Sequence, residues 1–175
     1  EIWKPKNYGN KLEGSVTLRT ALVKSLNLPT IGLVEDLGPQ RLINYSRQLG
    51  ISANMDKNLT IGLGSFSVTL EEMVEAYGVL ANRGQSVDPG FVTKIEDIHG
   101  NILEESGNPI EKIISEETAF LITDAMRDVV DHGTGVRAKA IGRPSAGKTG
   151  TTNDSKDAWY IGFIPQLLTG VYVGY

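Results

Sequence analysis

The sequence changes its period near Ser145, and that change limits the fold more than any other feature. Before it, apolar residues recur three and four apart; after it they run in short blocks separated by turn residues. Residues 145–152, 157–164 and 167–175 read as three short strands, with Asn153-Asp154-Ser155-Lys156 as the turn between the first two. The block Asp157-Ala158-Trp159-Tyr160-Ile161-Gly162-Phe163 is apolar on both faces, which suits a central strand. Helices first and an antiparallel sheet last make the expected class α+β.

Residues 1–14 hold no periodic pattern and read as an ordered loop. A helix is expected from Ser15 or Thr17, with Leu18, Ala21, Leu22, Ser25 and Leu26 on its apolar stripe. Pro29 should end it at or before Leu28. Residues 30–37 are a short apolar segment closed by Gly38; Pro39 opens another helix and Gly50 ends it. Thr69-Leu70-Glu71-Glu72 is a capping box ahead of a helix with Leu70, Met73, Val74, Tyr77 and Leu80 on one stripe and Gly84 as its stop. Residues 91–98 and 102–105 read as a hairpin turning at His99-Gly100-Asn101. Ser115 caps the last helix, with Ala119, Ile122, Met126, Val129 and Val130 facing inward and Gly133 at its end. The loop Gly133-Thr134-Gly135 reads as flexible. The chain stops at Gly174-Tyr175 within a strand pattern, and a strand needs a cover on its apolar face. Residues 1–175 are therefore expected to be part of one domain, truncated at both ends.

Composition removes whole classes of function. Lys and Arg total 17 against 21 acidic residues, a net charge of -4, so no electrostatic footprint for nucleic acid or an anionic membrane surface is present. The absence of cysteine excludes thiol catalysis, disulfides and thiolate metal sites. The two histidines, His99 and His132, are isolated in sequence; no metal or other cofactor is expected. The longest apolar runs fall far short of the ~20 residues that span a bilayer. Glu1-Ile2-Trp3 reads like an internal start and not a signal peptide, so any membrane anchor is expected outside these residues.

The stretch Gly142-Arg143-Pro144-Ser145-Ala146-Gly147-Lys148-Thr149-Gly150-Thr151-Thr152 admits more than one chemistry. Gly142 to Thr149 match the phosphate-loop pattern G-x-x-x-x-G-K-[ST], but that loop needs a buried strand before it and a helix after it. Val136-Arg137-Ala138-Lys139-Ala140 is no such strand, and Gly150-Thr151-Thr152 is poor helix-forming sequence. The other chemistry is a K-T-G strand entering an antiparallel sheet. Period-two geometry puts the hydroxyls of Thr149 and Thr151 on one face, where they can grip a carboxylate. Gly150, without a Cβ, lets a substrate backbone approach. Free edge amides can bind an extended peptide, and that of Thr151 can stabilise an oxyanion. On this stretch alone, a plain Gly/Thr-rich strand turn with an exposed lysine explains the residues equally well. Ser25-Leu26-Asn27 alone reads more simply as a satisfied core serine and a C-terminal Asn cap. Together, some 120 residues apart, the two strings favour a shared site.

Further strings join these two. Trp3-x-Pro5-x-Asn7-Tyr8, Gly14-Ser15-Val16-Thr17-Leu18-Arg19, Ser25-Leu26-Asn27-Leu28-Pro29, Leu63-Gly64-Ser65, Val68-Thr69-Leu70-Glu71-Glu72-Met73, Gly133-Thr134-Gly135, Ala146-Gly147-Lys148-Thr149-Gly150-Thr151-Thr152-Asn153-Asp154 and Asp157-Ala158-Trp159-Tyr160 follow in order. In that order they resemble class A penicillin-binding proteins over nearly the whole chain.

The resemblance implies the penicillin-binding/serine β-lactamase-like fold and a D,D-transpeptidase. Such an enzyme cross-links peptidoglycan stem peptides ending in D-Ala-D-Ala through an acyl-serine and is acylated by β-lactam antibiotics. It implies a proton-relaying Ser25, a substrate-binding Asn27, and a Lys148 that supplies positive charge and holds Ser25. Carboxylate binding would fall to Thr149 and Thr151, beside Gly150, at the extracytoplasmic face of the cell membrane. The family's first motif, S-x-x-K, needs a helix turn to bring Ser and Lys together. Ser145-Ala146-Gly147-Lys148 matches it only in letters, because it lies on a predicted strand. The acylated serine is therefore expected upstream of Glu1, in the missing N-terminal part of the same domain. This chain alone is then expected to be inactive. The alternative is a non-catalytic peptidoglycan- or β-lactam-binding module.

Overall fold

The computed structural model describes residues 3–87, 89–105, 107, 109–152 and 156–174. Helices α1 (Leu18–Val23), α2 (Asn27–Leu37), α3 (Pro39–Gln48) and α4 (Leu70–Ala81) come first. A hairpin, β1 (Lys94–Glu96) and β2 (Ile102–Glu105), and helix α5 (Glu116–His132) follow. Strands β3 (Ala146–Thr151), β4 (Ala158–Ile164) and β5 (Leu167–Val173) close the order as an antiparallel sheet with β4 in the centre. The class is α+β, and the doubly apolar block has become the central strand.

Register explains which sheet face is covered. Ala146 pairs with Phe163, and Phe163 with Leu168, so the three share a face. Ala146 and Phe163 are buried with Met126 of α5, and Leu22, Tyr77, Leu80 and Leu168 pack around them. Helix α4 lies close over β5: a Cβ at Gly170 would meet a methyl of Val74 at 2.5 Å. A second cluster, Val34, Ile51, Met55, Ile61 and Ala76, holds α2 to α4 and to the 3-10 turn Leu59–Leu63. Arg19 of α1 spans Asp124 and Asp128 of α5, each at 2.6 Å, and so ties α1 to the helix that covers β3.

Several expectations need correction. The first helix ends at Val23, and Pro29 lies inside α2. Proline is tolerated there because the first turn of a helix has no intrahelical use for its N–H groups. The apolar segment 30–37 is accordingly the body of α2. Ile122 is 40% exposed, so the inward face of α5 is carried by Ala119, Ala125, Met126, Val129 and Val130. The loop Gly133-Thr134-Gly135 is pinned: Gly133 and Gly135 donate to the Val129 carbonyl, and Thr134 N–H to that of Val23. The hairpin is shorter than its pattern, with an irregular register after Ile95. Of the turn 153–156, residues 153–155 lie outside the described residues.

The capping box forms as read: Thr69 Oγ accepts from Glu72 N–H, and Glu72 accepts from Thr69 N–H. Glu72 also accepts from the backbone and hydroxyl of Ser52, which ties α4 to the end of α3. These bonds, the Ser52 hydroxyl foremost, hold the Glu72 carboxyl down at about 2 against its usual 4.5. A depressed carboxyl stabilises the fold above its unfolded value and loses that contribution as pH falls toward its folded one. Glu72→Ala should therefore lower Tm by about 2–4 °C at neutral pH. The gap to the parent should close between pH 4.5 and about 2. A gap that stays constant on acidification would assign the effect to something other than this carboxylate.

Candidate active site

The junction between α1 and α2 sets the first wall. Helix α1 ends in a Schellman motif: Ser25 N–H donates to the Leu22 carbonyl and Leu26 N–H to that of Ala21. The residue after the C-cap of that motif takes a left-handed conformation, usually as glycine. Here it is Ser25, at φ 53°. A serine held where glycine is the easier choice is backbone strain kept for the side chain. Ser25 thus leaves the helix stripe on which the periodicity put it and becomes an exposed residue. Asn27, expected at a helix end, opens α2 instead. One of its amide hydrogens goes to the Lys6 carbonyl at 2.8 Å.

Strand β3 sets the second wall. Lys148 pairs with Ile161 on the helix-covered face of the sheet. Its stem is drawn out of water there, and this burial pushes the amine below the usual lysine value. The amine reaches past the strand edge and donates to Ser25 Oγ at 2.9 Å and to the Thr149 carbonyl at 3.0 Å. The Ser25 contact lies inside the 2.7–3.2 Å range expected of a hydrogen bond.

Strand alternation decides what the edge offers. Thr152 N–H donates to the Asp157 carbonyl, which makes 152 and 157 a hydrogen-bonded pair. Every second residue of β3 therefore turns its backbone toward β4, and Thr149 and Thr151 turn theirs away. The Thr149 carbonyl meeting Lys148 agrees with that parity. The Thr151 amide points to the edge not paired with β4. The side chains of Thr149 and Thr151 share the opposite sheet face from Lys148 and Gly150. Beyond β3, Asp157 N–H donates to Thr152 Oγ and Tyr172 donates its hydroxyl to Asp157, which braces the turn.

One contact was not foreseen: the Thr149 hydroxyl donates to that of Thr134 at 2.7 Å. The Gly-Thr-Gly string joined the family resemblance without a role and by composition read as a flexible loop, and nothing in it points to β3. The letters of the phosphate loop, Gly142 to Thr149, are split between the end of a 3-10 helix and β3, and among the described residues no helix follows them. Ser145 stands at the head of β3, about 10 Å along the strand from Lys148. Its buried hydroxyl has no partner, while the Lys148 amine is turned to Ser25. Among the described residues no group of three or more His, Cys, Asp or Glu could hold a metal ion.

The family described as penicillin binding protein transpeptidase domain matches residues 1–175. Penicillin-binding protein 1A of Rickettsia bellii is 39% identical over 196 residues, covering 99% of this chain and 25% of that protein. That of Aquifex aeolicus is 39% identical over 175 residues, covering 100% and 24%. The chain thus spans about a quarter of the length of these relatives. Penicillin-binding protein 1A from Haemophilus influenzae superposes with a TM-score of 0.90 at 28% identity, over 100% of this chain and 32% of that one. The PonA1 protein from Mycobacterium tuberculosis, solved in complex with penicillin V, gives 0.85 at 30% identity over 97% and 50%.

Proposed function

Because this chain belongs to the penicillin-binding protein transpeptidase domain family, we propose that the α1–α2 junction and the β3 edge face one cleft of a serine-type D,D-transpeptidase. Its substrate is a peptidoglycan stem peptide ending in D-Ala-D-Ala, and β-lactam antibiotics occupy the same cleft. The 2.9 Å contact between Lys148 and Ser25, 123 residues apart, carries this reading. The complex of PonA1 with penicillin V supports the β-lactam part.

In the proposed reaction a serine hydroxyl attacks the carbonyl carbon of the penultimate D-Ala. The Thr151 N–H takes up the developing oxyanion in a pre-set position. The bond to the terminal D-Ala nitrogen breaks, and the departing amine takes a proton from Ser25. The proton released by the attacking hydroxyl balances the one the amine gains. An amine of a neighbouring stem peptide then attacks the acyl-serine and restores its hydroxyl. Lys148 keeps Ser25 oriented through a charge-assisted hydrogen bond and, with the Thr149 and Thr151 hydroxyls, binds the terminal carboxylate. Gly150 admits the substrate backbone, and the second amide hydrogen of Asn27 is offered to a substrate carbonyl.

The attacking serine comes from sequence outside these 175 residues, since their one S-x-x-K string runs into strand β3 and not along a helix turn. Among the described residues no helix is long and apolar enough to cross a membrane; we place the anchor outside them too, with the reaction at the extracytoplasmic face. A fluorescent penicillin should label the full-length protein covalently, and a peptide ending in D-Ala-D-Ala should compete. Label that denaturation removes would indicate a binding module without a nucleophile. No binding by either ligand would overturn the reading.

A further inference from the structure

Helix α2 lacks the cap that its own sequence should provide. Its N-cap position is Leu26, whose side chain makes no capping hydrogen bond. Leu26 fits there because the Schellman end of α1 favours an apolar residue packed two places after its C-cap, and Leu26 is buried. One residue cannot serve both as that apolar plug and as a polar cap. Of the orphan N–H groups in the first turn of α2, Pro29 removes one by having none. The N–H of Leu28 is met from far away, by Asn7 Oδ1 at 3.0 Å.

Asn7 is built for this role. It is only 7% exposed, one of two buried polar residues among those described. Its Nδ2 donates to the Lys11 carbonyl at 2.9 Å, and its own carbonyl accepts from Asn10 N–H at 2.9 Å. Those two bonds fold residues 7–11 back on themselves and aim Oδ1 at α2. The neighbouring Lys6 carbonyl receives the Asn27 amide at 2.8 Å. Residues 6 and 7 therefore hold residues 27 and 28 through two hydrogen bonds, both donated from the α2 side. Between these anchored points and α1 lies the strained Ser25.

We infer that Asn7 is a positioning residue of the site: it caps α2 from outside the helix and thereby holds Ser25 on Lys148 and the Asn27 amide in one orientation. This rests on the transpeptidase reading above. Without the cap, Leu28 N–H is left to find water, the first turn of α2 frays, and the left-handed Ser25 can relax. The Ser25 hydroxyl then spends less time on Lys148.

Two isosteric variants of the full-length protein separate the cap from its surroundings. Asn7→Asp keeps an oxygen for Leu28 N–H, and Asn7→Leu keeps none; both forfeit the bond to Lys11, so their difference reads the cap. We expect acylation by a fluorescent penicillin to slow about tenfold in Asn7→Leu and to stay within about threefold of the parent in Asn7→Asp. Val79→Ala, a core change in α4 and outside the junction, serves as the stability control. It should lower Tm while the folded protein acylates at the parental rate. Equal rates in the two Asn7 variants, or a parental rate in Asn7→Leu, would overturn the inference. A Val79→Ala loss as large as that of Asn7→Leu would overturn it as well, by showing that lost stability alone slows acylation. The same experiment keeps the broader reading distinct, since Lys148→Ala fails to slow acylation only if the cleft itself is misassigned.

Discussion

Lys148→Ala should slow acylation of the full-length protein by a penicillin about 10²–10⁴-fold, the range contributed by a proton-transfer group such as the Ser25 it orients. The amine has two acceptors, Ser25 Oγ and the Thr149 carbonyl, and both lie at the edge where the substrate carboxylate is proposed to sit. Removing it takes away the positive charge and the orientation of Ser25 together. Lys148→Arg should not restore the rate, because a planar guanidinium cannot reproduce a compact donor on a stem packed against the sheet. The fold should survive: the amine is held partly out of water at an energetic cost, so its loss should move Tm by no more than a few degrees. The pH profile supplies a second check. The charged amine is the active form, and burial lowers its pKa below 10.5. Activity should therefore decline as pH rises through a value below that of an ordinary lysine, and this limb should vanish in Lys148→Ala. Acylation of that variant at the parental rate would remove Lys148 from the mechanism.

Ser25→Gly should stabilise the protein and disable it at once. At φ 53° a glycine sits without the Cβ clash that serine bears. Completing the Schellman motif with its preferred residue should add about 1 kcal/mol, or about 2–4 °C in Tm. The hydroxyl that meets Lys148 is lost, and acylation should fall by about 10²-fold or more. Ser25→Ala should lose the same activity without the gain in stability, because alanine keeps the Cβ. Opposite movement of Tm and rate in one variant is the mark of strain retained for function. A Ser25→Gly protein that acylates normally would show that the hydroxyl is idle. One that is less stable than the parent would show that the left-handed conformation costs serine nothing here.

Much of the architecture was legible because it follows from local periodicity. The doubly apolar block 157–163 marked the central strand, and Thr69 with Glu72 marked the start of α4. Capping and alternation act over a few residues, so their signals stay in short strings. The break at Ser25 was not legible. Leu18, Ala21, Leu22, Ser25 and Leu26 have helical spacing whether or not the helix continues, and Pro29 reads as a stop when it is in fact a first-turn residue. Thr134 and Asn7 stood in strings of the family resemblance, but their roles were not legible for a related reason: their partners, Thr149 and Leu28, lie 15 and 21 residues away.

What the residues alone determined is the set of elements and the chemical groups they carry, including an antiparallel strand with Lys148 and Thr149 on opposite faces. What the tertiary structure alone decided is where those groups meet. The Lys148 amine finds Ser25 because α5 packs on β3 while Arg19 and Thr134 fasten the α1 end to α5. Hydrogen bonds act over about 3 Å and periodicity over a turn or two. A contact across 123 residues is therefore fixed by packing and leaves no trace in the local pattern.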